Sequence, residues 1–185
     1  MGEIDDAIER ADRESFTRQP PKTLKGQIGY LIRQLGSAKA VAQEIGVTAD
    51  SVNRYRRGAR KHARPDIAAK INDAVRARWQ PQVRKRRQKR ASTTTGITVE
   101  TRARFGYTAP IGTTDDGRFR RLTVHLPPTY AQRLFDARNT GASDQHMRQI
   151  IAEGLKDVYF QDGGTRATGL SDVTLNDIDY LDLDY

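Results

Sequence analysis

The residues best suited to chemistry lie between positions 105 and 118, in the segment Phe-Gly-Tyr-Thr-Ala-Pro-Ile-Gly-Thr-Thr-Asp-Asp-Gly-Arg. The segment combines three threonine hydroxyls with glycines that give the backbone freedom, and with two adjacent carboxylates, Asp115 and Asp116. A hydroxyl in such a loop can be the acceptor of a group transfer, and the carboxylates can orient it or bring a metal ion near it. Because no histidine is nearby, the loop does not form a complete hydrolytic site. An ordinary turn has the same composition, with Asp and Gly chosen for geometry.

The composition of the chain excludes several other kinds of site. The sequence has no cysteine, and its histidines, His62, His125 and His146, are far apart and lack the spacing of metal ligands. We therefore expect no zinc site, no disulfide and no cofactor of the protein's own. The chain lacks a signal peptide and an apolar stretch long enough to span a bilayer, which predicts a cytoplasmic protein located at the nucleoid.

Residues 38–57 predict two helices that cross at a tight turn, the arrangement of a helix-turn-helix. Ala42 is small enough for the second helix to approach, and Gly46 tolerates the positive φ of the turn. The predicted interior positions are Val41, Ile45, Val47, Val52 and Tyr55. The second helix exposes residues able to cap it and to contact DNA bases or phosphates, namely Thr48, Asp50, Ser51, Asn53, Arg54 and Arg57. A helical bundle with a merely solvated basic face has the same pattern.

Charge favours nucleic acid as a partner and is spread unevenly along the chain. The net charge is +9, which attracts a polyanion. A dense basic run predicts an arm that contacts phosphates, or alternatively a solvated linker; its members are Arg84, Lys85, Arg86, Arg87, Lys89 and Arg90. Residues 170–185, in contrast, contain five Asp and no Lys or Arg, and this predicts an acidic, flexible tail.

These features predict an α+β protein that is mostly helical and has two small domains. Residues 1–80 form a helical domain that contains the helix-turn-helix, and residues 81–95 form a basic arm or linker. Residues 96–164 form a small α+β domain whose loop, 105–118, carries the acceptor chemistry. Residues 165–185 form the acidic tail.

The α+β domain has the element order of a ribbon-helix-helix unit. Residues 118–126 alternate between polar and apolar side chains, and two amphipathic helices follow, the second of them capped by Ser143. In such units two chains pair their strands into a ribbon that enters the major groove, and Arg121, Thr123 and His125 would then face the bases. Since one strand is unstable alone, this interpretation requires a homodimer or pairing with preceding segments. A small α+β domain without a ribbon has the same pattern.

The sequence also resembles a known family over nearly its whole length. The resemblance rests on the order of the helix-turn-helix, Ala-Arg-Trp-Gln-Pro-Gln-Val-Arg at 77–84, the segment 101–118, and Val-Tyr-Phe-Gln-Asp-Gly-Gly at 158–164. This order is similar to that of the telomere-protecting terminal proteins of linear actinomycete chromosomes and plasmids. Segment 101–118 is the most specific part of the match.

The resemblance implies a protein that is joined covalently to the 5′ ends of a linear replicon and primes the synthesis of DNA that patches those ends. It implies Thr114 as the nucleotide acceptor, with Thr113 as its rival and Asp115 and Asp116 as loop support. Its implied partners are telomeric DNA, a telomere-associated DNA-binding protein and a DNA polymerase. The polymerase supplies the Mg²⁺ and the deoxynucleotide, so the chain itself is a primer and not an enzyme.

Two other classes of protein remain open at this stage. A transcriptional regulator or partition protein would use the same DNA-binding elements without covalent attachment. A relaxase or recombinase would attack DNA with a tyrosine such as Tyr107 or Tyr130, but it needs a cluster of His ligands or of Arg and His that the sequence does not contain.

Overall fold

The computed structural model describes residues 2–108 and 119–185, which form eight α-helices and three β-strands. The protein is α+β and mostly helical, as the sequence predicts. Contacts along the chain divide it into two compact units. The helical unit comprises residues 16–81, and the α+β unit comprises the segment up to Ser15 together with the residues from Gln82 onward.

The helical unit contains four helices, and capping side chains mark where three of them begin. They are α2 (Leu24–Leu35), α3 (Ala38–Ile45), α4 (Ala49–Arg57) and α5 (Pro65–Arg78). The side chains of Thr23, Ser37 and Thr48 each accept a hydrogen bond from the backbone amide three residues later, and Pro65 occupies the first position of α5. The cap at Thr48 lies where the sequence predicts it.

A hydrophobic core of its own holds the helical unit together. One face of each helix contributes to it, and the fully buried members include Ile28, Leu31, Val41, Ile45, Val52 and Ile71. Trp79 lies directly after α5 and packs beside Tyr30, with the ring centroids 4.8 Å apart. The indole N–H of Trp79 donates a hydrogen bond to the carbonyl of Arg18 at 2.9 Å, and this contact ties the two ends of the unit together.

In the α+β unit, helices pack against one face of an antiparallel sheet. The elements are α1 (Glu3–Glu14), α6 (Pro81–Arg90), β1 (Ile97–Thr108), β2 (Phe119–Leu126), α7 (Pro128–Asn139), α8 (Asp144–Leu155) and β3 (Asp172–Asp184). Short π-helical segments, Ala91–Thr95 and Lys156–Phe160, follow α6 and α8, and a 3-10 turn spans Asp162–Gly164. The strand order is β2-β1-β3. Val99 and Phe105 point into the core, whereas Arg102 and Arg104 lie on the opposite, open face.

The acidic segment at the end of the sequence is strand β3, which corrects the prediction of a flexible tail. It pairs antiparallel with β1, from Thr98 opposite Asp184 to Thr108 opposite Asp172. The buried residues of β3 are Val173 and Leu175 near its start and Leu181 and Leu183 near its end, and at both ends they alternate with exposed polar residues. Because the alternation places the carboxylates on the solvent face, the acidic composition concealed a half-buried strand.

Helix α1 belongs to the α+β unit, so the predicted boundary of the first domain was wrong at its start. The buried stripe of α1, made of Ile4, Ala7, Ile8 and Ala11, is part of the core that contains the sheet, α7 and α8. The N–H of Ile4 donates to Asp144 Oδ1 at 2.9 Å, at the start of α8. The amphipathic pattern identified the helix correctly, but it carried no information about which core the helix would join.

Strand β2 pairs with β1 of the same chain, in register from Ile97 opposite Leu126 to Arg104 opposite Phe119. The strand is followed by α7 and α8, and the hydroxyl of Ser143 caps α8 as predicted. Pairing with a preceding segment was one of the two ways in which the strand could be stabilised, and it removes the requirement for a second chain.

In the part of the chain that the structure describes, no helix is long and apolar enough to cross a membrane.

Candidate nucleic-acid interface

Helices α3 and α4 meet at a three-residue turn whose geometry depends on Gly46. This residue has φ 71° and ψ 43°, a left-handed conformation that favours glycine. The amide of Val47 donates to the carbonyl of Ala42 at 3.0 Å and closes the turn. All five predicted interior positions face the core: Val41, Ile45, Val52 and Tyr55 are buried, and Val47 is half-buried against the same cluster.

The outer face of α4 carries the predicted DNA-contacting residues, but several of them are already engaged. Thr48 Oγ1 accepts from the amide of Ser51 at 3.2 Å and lies 3.0 Å from Ser51 Oγ, so both hydroxyls belong to the helix cap. Asp50 and Arg54 form an ion pair of 2.8 Å on the helix surface. Such an exposed pair contributes about 0.3–0.5 kcal/mol and opens readily when a phosphate approaches.

Asn53 and Arg57 are the two predicted residues of α4 whose side chains have no hydrogen-bond or ion-pair partner among the described residues. Arg57 is exposed, and Asn53 is half-buried. An Asn side chain can donate and accept at once and is suited to adenine, whereas an Arg is suited to guanine or to a phosphate. These two side chains are therefore the ones most readily available for direct readout.

The positive charge of the protein is concentrated in the helical unit. Residues 16–81 contain 14 Lys and Arg against 4 Asp and Glu, a net charge of +10, while the rest of the chain sums to −1. The predicted site residues do not include three further exposed cations, Arg56 in the last turn of α4 and Arg60 and Lys61 in the loop after it. Arg60 and Lys61 are recognisable in the sequence as part of a basic loop directly after Gly58.

The predicted basic arm is the helix α6, and its cations point in two different directions. Arg84 contacts Glu9 through two hydrogen bonds of 2.7 and 2.9 Å, and its Nη1 lies 3.1 Å from Asp12. Arg87 contacts the carbonyl of Tyr185 and forms an ion pair of 3.3 Å with Asp184. These two arginines are engaged inside the α+β unit, whereas the sequence had predicted phosphate contacts for the whole run.

Burial and charge act in opposite directions on Glu9. Desolvation alone would raise the pKa of Glu9, but the hydrogen bonds and the positive charge of Arg84, with help from Arg13 and Arg138, hold that pKa below its ordinary value. Glu9 thus stays ionised inside the unit, beside the fully buried Asp12. The ion pair between Arg84 and Glu9 anchors α6 on α1.

The remaining four cations of the run form one exposed stripe along α6. Their positions are i, i+1, i+4 and i+5, which a helix places on one face: Lys85, Arg86, Lys89 and Arg90. No ion pair involves them among the residues that the structure describes. Thr93 and Thr94 lie at the next two positions with the same spacing, in the π-helical segment, and they are exposed as well. This stripe, and not the whole run, has the geometry for contacts with a row of phosphates.

Arg121, Thr123 and His125 lie on the open face of the sheet, as the alternation predicts, but they contact the neighbouring strand. Arg121 forms an ion pair of 2.8 Å with Glu100, and His125 Nδ1 lies 3.1 Å from the hydroxyl of Thr98. Hydrogen bonds from Arg121 and from Tyr180 lower the pKa of Glu100. Thr123 lies opposite Glu100 in the register, so a carboxylate stands at the middle of the predicted reading face.

The carboxylates of β3 neutralise arginines from three other elements. Asp177 and Asp179 pair with Arg104 and Arg102 of β1 at 3.5 and 2.8 Å. Asp182 and Asp184 pair with Arg10 of α1 and Arg87 of α6 at 3.1 and 3.3 Å. The open sheet face therefore carries paired charges, and a polyanion gains less there than at the helical unit.

The predicted acceptor residues Thr113, Thr114, Asp115 and Asp116 lie outside the described residues. Strands β1 and β2 lead into and out of the segment 109–118 and pair with each other up to Arg104 and Phe119. The described residues on either side of this segment thus belong to two strands that pair with each other. The described residues contain no group of three or more His, Asp or Glu placed to hold a metal ion.

Tyr130, the alternative nucleophile with a described side chain, is poorly suited to attack. Its hydroxyl donates a hydrogen bond to Asp157, and burial together with this carboxylate raises the pKa of Tyr130 to about 12. A raised pKa disfavours the phenolate that attacks phosphorus.

Comparison of the chain with protein-family models, with curated proteins and with solved structures gives no match.

Proposed function

We propose that this protein is a telomere terminal protein that becomes covalently attached, through a threonine hydroxyl, to the 5′ ends of a linear replicon. In this role it acts as the primer for the DNA synthesis that completes those ends. A DNA polymerase and a telomere-associated DNA-binding protein are its partners, and the protein itself needs no catalytic site.

One observation carries the DNA-binding part of the proposal. The helix pair α3 and α4, with its left-handed glycine turn and capped second helix, lies in a unit of 66 residues, 16–81, that has a net charge of +10. A helix-turn-helix places its second helix in the major groove, where Asn53 and Arg57 would meet base edges or phosphates. The charge supplies the salt-dependent part of the affinity.

The acceptor part of the proposal rests on the resemblance of segment 101–118 and on the chemistry of its side chains. The hydroxyl oxygen of Thr114 attacks the α-phosphorus of a deoxynucleoside triphosphate, a new P–O bond forms, and the bond to pyrophosphate breaks. The hydroxyl proton passes to a base in the polymerase site, where the metal ions stabilise the charge on the phosphates. A hairpin base formed by β1 and β2 suits a segment that must extend into a polymerase.

A non-covalent regulator or partition protein is the alternative that the same helical unit supports. It would bind duplex DNA through α4 and would have no use for the hydroxyl of Thr114. A ribbon-helix-helix dimer is a less favoured form of that alternative, because β2 already pairs with β1 and Arg121 with Glu100.

The test is a nucleotide-attachment reaction that contains the full chain, the polymerase, telomeric template and labelled deoxynucleotide. We expect Thr114→Val to abolish attachment and to leave DNA binding unchanged, because valine keeps the shape of the side chain and lacks the oxygen. Thr114→Ser should retain part of the activity, although its side chain is less restricted in χ1. Asp115→Asn and Asp116→Asn should slow the reaction by less.

Thr113→Val is the matched control. Attachment that persists in Thr114→Val and disappears in Thr113→Val would transfer the role to Thr113. Attachment in both variants would exclude this pair, and no attachment by the wild-type protein, together with normal DNA binding, would favour the non-covalent regulator.

A further inference from the structure

The end of α4 carries a group of cations that lie close in sequence. Arg56 and Arg57 occupy the last turn, and Arg60 and Lys61 follow the glycine at which the helix ends. Gly58 has φ 78°, and the amides of Gly58 and Ala59 donate to Tyr55 and Arg54 at 3.1 and 3.0 Å. These bonds fix the chain where it leaves the helix, so the two loop cations start from a defined position.

The fold adds a fifth cation from another helix. A methyl group built at Gly58 would lie 4.0 Å from Cδ of Lys25, which places the side chain of Lys25, in the first turn of α2, beside the end of α4. Lys25 precedes Gly58 by more than thirty residues in the sequence. We call Lys25, Arg56, Arg57, Arg60 and Lys61 the α4-end cluster.

The α4-end cluster is exposed and lacks neutralising carboxylates. All five side chains are exposed, and none of them forms an ion pair with a described residue. The nearest acidic residue in the sequence is Asp66, which pairs with Arg64 at 3.5 Å. The carbonyl end of α4 offsets part of this charge, but by no more than about half an elementary charge. In contrast, Arg102, Arg104 and Arg121 of the sheet are each paired with a carboxylate.

We propose that the α4-end cluster binds the sugar-phosphate backbone of duplex DNA beside the groove that α4 enters, with Lys25, Arg60 and Lys61 as its sequence-independent contacts. The inference rests on the proposed DNA-binding role of the helical unit and names the part of its surface that supplies affinity without discrimination. Asn53 and Arg57 read bases, while Lys25, Arg60 and Lys61 of the cluster set the register of the helix on the duplex. The DNA backbone would contact the protein at two places, on α2 and on the loop after α4. Contacts at both places hold the end of α4 in a fixed orientation in the groove.

The test measures the affinity of the full-length protein for a mixed-sequence duplex across a series of salt concentrations. Each lost phosphate contact lowers the slope of log affinity against log salt by about 0.9, and at 0.1 M salt it costs roughly eightfold in affinity. We therefore expect Lys25→Ala to lower the slope by about one and Arg60→Ala/Lys61→Ala to lower it by about two, with equal losses on every duplex sequence. Thermal unfolding of each variant, followed by circular dichroism, checks that the fold is retained.

Arg33→Ala is the matched control, because Arg33 is an exposed cation on the same helix as Lys25, about 12 Å further along its axis. This variant should keep the wild-type slope. An equal loss in Arg33→Ala would show that total charge, and not the α4-end cluster, governs binding. If the wild-type protein binds and Arg60→Ala/Lys61→Ala binds with the same slope, the cluster is excluded while the DNA-binding function stands. If the wild-type protein does not bind duplex DNA, the proposed function itself fails.

Discussion

Arg84 of α6 and Glu9 of α1 form a two-pronged ion pair, with Nη1 to Oε2 at 2.7 Å and Nη2 to Oε1 at 2.9 Å. Both side chains are largely buried, at 11% and 12% exposure. Arg84 also lies 3.1 Å from the carboxylate of Asp12, which is completely buried. An arginine that begins a basic run thus serves as the link between the helix carrying that run and the core of the α+β unit.

Removing this arginine should destabilise the α+β unit. In Arg84→Ala, the carboxylates of Glu9 and Asp12 lose their closest cation, and breaking a buried pair by deleting one partner costs about 3 kcal/mol or more. Arg86→Ala is the control, since Arg86 is exposed on the opposite side of the same helix and should change stability by less than about 0.5 kcal/mol. Urea unfolding followed by far-UV circular dichroism measures the stability of both variants. Equal midpoints for the two variants would contradict the structural role of Arg84.

The ion pair between Arg84 and Glu9 also predicts how the free energy of unfolding depends on pH. Because the pKa of Glu9 in the folded protein is lower than its ordinary value of 4.5, the folded state releases this proton more readily than the unfolded state. The stabilisation by the Glu9 carboxylate is complete above that ordinary value and is lost as the pH falls through the lower, folded value. Glu9→Gln should therefore be less stable near neutral pH and lose less stability on acidification. Unfolding free energies measured across this acidic range test it, and a pH dependence identical to that of the wild type would refute the assignment.

Strand β3 should behave as part of the core. Leu181 is 3% exposed, so Leu181→Ala should cost about 2–5 kcal/mol in unfolding free energy. Its neighbour Asp182 points outward and forms only a surface pair with Arg10, so Asp182→Ala should cost less than about 1 kcal/mol. Chemical denaturation of the two variants provides the comparison. A flexible acidic tail would leave both of them as stable as the wild type.

Base readout by α4 and phosphate contact by α6 should be separable. Asn53→Ala should reduce discrimination among duplex sequences by about 1–3 kcal/mol and leave non-specific binding unchanged. Lys89→Ala/Arg90→Ala should weaken binding to all sequences and lower the salt slope by about two. Arg87→Ala is the informative comparison for the second variant, because Arg87 faces Asp184 and Tyr185 and should affect stability more than the salt slope. Competition binding against selected and random duplexes, repeated at several salt concentrations, distinguishes these outcomes.

Local physics allowed several elements to be read from the sequence alone. The hydroxyls of Thr48 and Ser143 cap helices because a capping side chain satisfies amides only three residues away. The turn at Gly46 is equally local, since it depends on the freedom of one residue to adopt a positive φ. The α+β class followed from these signals and from the alternation along β2.

Tertiary structure decided the properties that depend on distant partners. The acidic segment is a strand because β1 offers it an unpaired edge and the core accepts Leu181 and Leu183, and neither condition is visible in a run of aspartates. The basic run divides into a buried and an exposed face because Glu9 and Asp184, more than seventy residues before and after it, lie beside Arg84 and Arg87. Charge composition sets the sign of the field around a chain, but only the packing of helices and strands determines which charges meet carboxylates and which remain unpaired at the surface.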